Sequence, residues 1–371
     1  MFYREAGVFK TSYAADQAVF PIPLDRWFIA GLFVLIFAVM PFLIYYGQNG
    51  MALEFLGASF WVNAILVPFL VYSLAAIGLN VLTGYCGLLS LGTGGFLAVG
   101  AYSSYKLMTM FPDMSIIFVF LLSGAITAAV GMVFGLPSLR IKGFYLAVAT
   151  LAAQFFLIWL FYKVPWFYNY NATGQITVPP RNFLGIAVTG PSASLVGKYL
   201  LTLSVVVAFA FLTKNLVRSH IGRSWMAIRD MDIAAELIGI RPLVTKLTAF
   251  GVSSFLVGVA GAMMFCIYLG AAESGETFGI QQSFDILFMI IIGGLGTIMG
   301  AFFGAAFLVL LPIFLEIGLV DGLGMSTAFA EHMKFILLGS LIIFFLIVEP
   351  HGFARLWQIA KEKLRLWPFP H

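Results

Sequence analysis

The chain has 371 residues, of which 61% are hydrophobic and only 10% charged, and its mean hydropathy is +1.02. Soluble domains carry about 25% charged residues, so this chain lacks the polar surface to stand in water and reads as an integral membrane protein. Its net charge of +4 fits Lys- and Arg-bearing cytoplasmic loops and implies no nucleic-acid partner.

A span needs about 20 mostly apolar residues. The first 26 residues are mixed and polar, and no small-residue cleavage site lies behind the apolar run that follows. They are expected as an N-terminal cytoplasmic segment, not a signal peptide. Apolar runs then predict helices at 27–46, 60–82, 92–110, 115–135, 144–162, 199–217, 247–269, 284–298, 299–317 and 335–348. The expected fold is all-α: a polytopic bundle of about ten transmembrane helices over residues 27–350. The third helix is Gly-rich and the eighth and ninth are short. These are the candidates for re-entrant half-helices, which are tolerated where backbone is buried in protein.

Lys and Arg set the orientation. The stretch 214–246 holds Lys214, Arg218, Arg223, Arg229, Arg241 and Lys246; a short turn holds Arg140 and Lys142; the tail 351–371 holds Arg355, Lys361, Lys363 and Arg365. The segment 271–283 has Glu273 and Glu276 instead. Ten crossings put all the basic segments on one side, with both termini cytoplasmic. The loop 163–198, with Trp166, Phe167, Tyr168 and Tyr170, becomes the largest external segment, and its aromatics suit an interfacial belt.

Several chemistries find no support. The only Gly-Lys pair, Gly197-Lys198, is followed by Tyr199, so no phosphate-cradling P-loop exists. His220, His332, His351 and His371 are scattered without metal-ligand spacing, and Cys86 and Cys266 suggest neither disulfide nor metal. No catalytic residues, bound cofactor or metal are expected. Gly296, Gly300 and Gly304 repeat at i+4, as do Gly131 and Gly135, which suits close helix packing or a gate. Among polar groups in apolar runs, Asn63, Asp285 and Glu316 sit near predicted span ends. Asn80 and Gln154 are deeper and are the candidates for a translocation path, with an interhelical hydrogen bond as the competing role.

The stretch 218–245 is the anomaly. At 100° per residue, Arg229, Asp232 and Glu236 share a sector of about 60° with Trp225 among them. Ala227, Ile228, Met231, Ala234, Ala235 and Ile238 lie opposite. One helix, or two joined near Met231, would fit. A lipid-surface helix prefers a mainly basic polar face, whereas Arg223, Arg229, Asp230, Asp232 and Glu236 mix signs. A protein partner is the better reading.

That stretch, GRSWMAIRDMDIAAELIGI (222–240) followed by KLTAFGVSSFLVGVAGAM (246–263), resembles the cytoplasmic loop and next helix of branched-chain amino acid ABC transporter permeases, in particular the M-type subunit. GLNVLTGYCGLLSLGTGGFLAVGAY (78–102), LPSLRIKGFYLAVATLA (136–152) and IIGGLGTIMGAFFGA (291–305) resemble other signature stretches of that family. The resemblance implies a permease subunit in a bacterial inner membrane, surrounded by lipid. It implies a second homologous permease, an external binding protein and two cytoplasmic ATPases that hold the ATP and Mg. The loop containing Arg223, Trp225, Arg229, Asp230, Asp232 and Glu236 would be the element that couples to an ATPase. Relatives handle aliphatic amino acids, urea, short amides and aromatic acids. The family often has GYAG and LSLGH where this chain has Cys86 and Thr93, and AIRENE where it has AIRDMD. The competing classes are a stand-alone secondary carrier or channel and a polytopic membrane enzyme.

Overall fold

The computed structural model describes residues 12, 23–48, 58–138, 145–190, 192–348 and 352–366. Arg140, Lys142 and nearly all of the N-terminal segment lie outside the described residues. Helices dominate. Among the described residues eight are long and apolar enough to cross a membrane, and six of these come in chain order as α1 (Arg26–Gly47), α2 (Trp61–Tyr85), α4 (Ile116–Ser138), α5 (Tyr145–Lys163), α6 (Leu195–Arg218) and α9 (Pro242–Leu269). The other two are α11 (Ile298–Asp321) and α12 (Thr327–Val348). Between them lie α3 (Thr93–Met110), the loop helices α7 (His220–Asp230) and α8 (Asp232–Leu237), and α10 (Ile280–Gly293). The tail forms α13 (Gly352–Leu366).

α3 and α10 are not among these eight, yet each carries the chain from one end of the bundle to the other, as the expected ten crossings require. α10 has 14 residues, and at 1.5 Å per residue it covers about 21 Å, short of a hydrocarbon core of about 30 Å. α3 is longer, but glycine, serine, threonine and lysine dilute it. Both helices start inside the bundle. Leu91 donates its N–H to Thr150 Oγ1 at 3.0 Å, and Gly95 donates to Gln154 Oε1. Gln154 is ten residues into α5, about 14 Å from its start. The ninth helix, also suspected of stopping short, is a full-length element of 24 residues.

α2 and α9 form the buried centre, while α1 and α12 lie at the periphery. Close backbone approach makes this centre tight. A Cβ at Gly100 would collide with the Gly258 carbonyl, and one at Gly261 with the Leu97 carbonyl. Gly131 and Gly135 face Ser254 and Phe250 of α9. Gly300 and Gly304 bring α11 against the backbone of Gly293 and Met289 in α10. Gly296 departs from the expected i+4 face. It precedes the helix, at φ +72°, in the turn between α10 and α11. That turn needs a left-handed backbone, so the regular spacing is coincidental there.

The two ends of the bundle differ. At one end, the segment after α5 forms β1 (Ile176–Thr177) and the hairpin β2 (Arg181–Phe183) with β3 (Ile186–Thr189). β1 pairs antiparallel with β4 (Ala271–Ala272), just past α9. Arg181 donates to the Met108 carbonyl at 2.6 Å, and Lys106 donates to Asn169 and lies 4.2 Å from the Trp166 ring centre. Of the aromatics expected in an interfacial belt, Phe167 turns inward against Tyr102 and Phe161, while Trp166 and Tyr170 stay exposed. The opposite end gathers Gly84, the α7–α8 pair, the Gly294–Thr297 turn and Gly352.

Candidate coupling site and its buried joint

α6 ends and α7 begins at one residue. Ser219 accepts a hydrogen bond at its Oγ from Ile221 N–H at 3.2 Å, the preferred helix-starting arrangement. Gly222 permits the sharp corner, since a Cβ there would collide with the Val217 carbonyl. α7 and α8 are two helices, not one. The break is at Met231, whose backbone is extended at φ −162° and ψ 98°.

Trp225 is not on the exposed sector where the wheel placed it. It is fully buried, and its indole N–H donates to Thr248 Oγ1 of α9 at 3.1 Å. The wheel failed because α7 packs on α6 and α9 with the Trp225–Ile228 side. Ile228 and Ala235 are buried as the apolar side would be, but Met231 and Ile238 are exposed. The outer surface carries Met231 at 65%, Ile233 at 66%, Leu237 at 85% and Ile238 at 76% exposure. Arg223, Asp230 and Glu236 are also exposed. Asp232 forms an ion pair with Lys246 at 3.8 Å, both partly accessible.

Arg229 points two ways. Its Nη2 pairs with neighbouring Asp230 at 3.0 Å, and its Nη1 donates to the Gly84 carbonyl at 3.0 Å. Gly84 sits in a π-helical stretch, Val81–Tyr85, that ends α2. Asn80 lies one turn earlier. Its Nδ2 donates to the Thr297 carbonyl at 2.7 Å, and its Oδ1 accepts from Gly296 N–H at 2.9 Å. The α7–α8 loop, the end of α2 and the turn before α11 thus meet at one joint. Beside it, burial pushes the Cys86 thiol up to about 12, only partly offset by the charge of Lys246.

Gln154 builds a second node deeper in the bundle. Its Nε2 donates to the Phe278 carbonyl at 2.8 Å, and its Oε1 accepts from Gly95 N–H and, at 3.2 Å, from Ser283 Oγ. Ser283 Oγ also accepts from Gly94 N–H at 2.8 Å. One amide and one hydroxyl thus hold the starts of α3 and α10 together. Asn80 and Gln154 are each 1% exposed, inside protein. Sequence reading singled out both amides but not their partners. Gly84, Ser283 and Thr248 carry no local signal, because their roles come from contacts across 145, 129 and 23 residues.

Comparison with known proteins agrees with this architecture. Residues 62–346 match the family described as branched-chain amino acid transport system / permease component. Among curated relatives, the high-affinity branched-chain amino acid transport system permease proteins LivM of Escherichia coli and Salmonella typhimurium are 31% and 30% identical over 320 residues. In each case the match covers 80% of this chain and 70% of the relative. The permease protein BraD of Pseudomonas aeruginosa is 24% identical over 303 residues, covering 78% of this chain and 93% of its own. No solved structure gives a significant match. The chain belongs to the branched-chain amino acid permease component family: it is a multi-pass membrane subunit of an ATP-binding-cassette importer.

Proposed function

We propose that this subunit carries branched-chain or related amino acids, handed over by an external binding protein, inward across the bacterial inner membrane. A second homologous permease completes the path, and two ATPases on the basic end hold ATP and Mg. The relatives' transport of branched-chain amino acids supports the substrate class.

The observation that carries the coupling role is the surface of α8. Met231, Ile233, Leu237 and Ile238 are exposed side by side, with Arg223, Asp230 and Glu236 around them. An apolar centre with a charged rim is the pattern of a protein interface. Trp225 and Arg229 fix this surface to the bundle, Trp225 through α9 and Arg229 through Gly84. A push on α8 then reaches the end of α2 and, through Asn80, the turn before α11. On this reading Arg229 transmits motion and the apolar residues dock.

The test is Leu237→Glu with Ile238→Ser, alongside Arg223→Glu and Glu236→Lys, measuring membrane level, ATPase co-purification and amino-acid uptake. The apolar pair should abolish co-purification and uptake at normal membrane level. Rim charges should shift affinity modestly, since exposed pairs contribute about 0–1 kcal/mol. Full uptake with Leu237 and Ile238 replaced would remove the docking assignment.

A further inference from the structure

The tail helix α13 belongs neither to the α8 surface nor to the hydrogen bonds of the joint. It begins four residues after Val348, the last residue of α12, so its start lies within about 14 Å of that helix end. Its first turns are fixed to the bundle. Phe353 packs on Phe307 of α11 at 5.5 Å and on Phe345 of α12 at 5.0 Å between ring centres, and Trp357 lies 6.1 Å from Phe303 of α11. Gly352 has φ +61° and sits against the Ile292 carbonyl, where a Cβ would collide. Leu356 and Trp357 nonetheless remain exposed, as do Ile343, Phe344 and Ile347 near the end of α12. α13 therefore continues the apolar outer surface of α12 at the end that carries α7 and α8.

The residues of α13 separate by chemistry. At 100° per residue, Phe353, Trp357, Ala360 and Leu364 share a sector of about 60°. Lys361 and Lys363 occupy positions on either side of that sector, and Arg355 and Arg365 lie beyond it. Four basic residues against the single Glu362 leave the helix at +3. Arg355 and Lys363 are exposed, and Arg355 donates to the neutral amide of Gln358 at 3.4 Å. A mainly basic polar face opposite an apolar face with Trp is the pattern of a helix that lies on an anionic membrane surface. A lysine at the border rests its stem on the lipid tails while its ammonium reaches the headgroups. α7 and α8 fail the same criterion, because their charges mix signs.

We propose that α13 docks on the anionic phospholipid headgroups of the cytoplasmic leaflet and braces the joint when it is docked. Lys361, Lys363 and Arg365 attract headgroup phosphates, while Leu356 and Trp357 enter the acyl boundary. The bilayer is within reach, because the helix begins where the last span ends. The brace runs through Gly352, which abuts Gly293 and Gly294. That turn continues to Gly296 and Thr297, the backbone partners of Asn80. An α13 held by lipid therefore steadies the turn, and transport runs faster in a bilayer that contains anionic lipid. The placing of this end in the cytoplasm rests on the amino-acid import reading.

The experiment uses the complete transporter in phosphatidylcholine vesicles of which about a third is phosphatidylglycerol, the anionic component. A bimane probe on Leu356→Cys reads contact, since Cys86 and Cys266 are buried. A quenching nitroxide is carried on the acyl chain of either the phosphatidylglycerol or an equal amount of the phosphatidylcholine. The anionic lipid should quench at least twofold more than the neutral one. Lys361→Gln with Lys363→Gln and Arg365→Gln should erase that difference, whereas Lys361→Arg with Lys363→Arg should keep it. Uptake of radiolabelled leucine, with binding protein and ATP, should be at least threefold faster with phosphatidylglycerol than in phosphatidylcholine alone. The triple glutamine variant should lose that gain while ATPase co-purification stays within twofold of the parent. Equal quenching by the two lipids before the charges are removed would overturn the docking. Loss of the ATPase from the glutamine variant would make α13 an ATPase contact and overturn it as well. Uptake indifferent to phosphatidylglycerol would overturn the brace. The quenching arm needs no transport, so it stands or falls apart from the import reading.

Discussion

Two buried amides do the same chemistry in different settings. Asn80 and Gln154 each use the whole amide, donor and acceptor, to hold backbone from a distant segment. Gln154 is sealed: its partners Gly95, Phe278 and Ser283 are buried, and they fix the starts of α3 and α10 inside the bundle. Asn80 belongs to a chain that reaches the surface, because Arg229 grips Gly84 one turn away and is itself 38% exposed. A closed node can only hold, whereas a joint with an exposed lever can be moved. If the contrast holds, Gln154 serves architecture and the Asn80–Arg229 joint serves the proposed transmission.

The comparison breaks most visibly at Gln154. Replacing it with leucine leaves the Gly95 N–H and the Phe278 carbonyl without partners, at about 1–3 kcal/mol each. The expected result is a lower membrane level and an unfolding temperature several degrees lower in detergent. A stable Gln154→Leu protein with altered substrate preference would instead make Gln154 a path residue. Arg229 should behave in the opposite way. Arg229→Ala loses a charge-assisted hydrogen bond, about 1.5–3 kcal/mol at most. Expression and ATPase binding should persist while uptake per ATP hydrolysed falls severalfold. Arg229→Lys should rescue only in part, because Lys lacks the fork that serves Gly84 and Asp230 together. If Arg229→Ala loses the ATPase altogether, the residue docks and does not transmit.

The smallest effect sharpens the boundary of the joint. Cys86 is 1% exposed and its thiol is raised to about 12 by burial. The thiolate that reacts with maleimide is therefore scarce at neutral pH and grows only as pH rises toward 12. Labelling of Cys86 at pH 7–8 should stay near background in the resting transporter. Faster labelling when ATP and binding protein are added would show that the joint opens during the cycle.

Hydropathy, charge placement and the mixed-sign loop were legible because each is a local sum. Twenty apolar residues in a row report a helix in lipid whatever they pack against, and the stretches around 78–102, 222–263 and 291–305 carried the family resemblance. The side on which each helix is buried was not legible. In a bilayer the lipid-facing side is as apolar as the protein-facing side, so periodicity gave no direction. In the loop outside the bilayer, Trp225 reads as outward because it shares a helical sector with Arg229, Asp232 and Glu236, and only its bond to Thr248 shows it facing inward. Gly296 joined a helical pattern by spacing alone, and the left-handed turn removed it. Asn80 and Gln154 announced themselves as polar groups that apolar surroundings must satisfy. The groups that satisfy them lie as far as 217 residues away, and only the folded chain brings them within 3 Å.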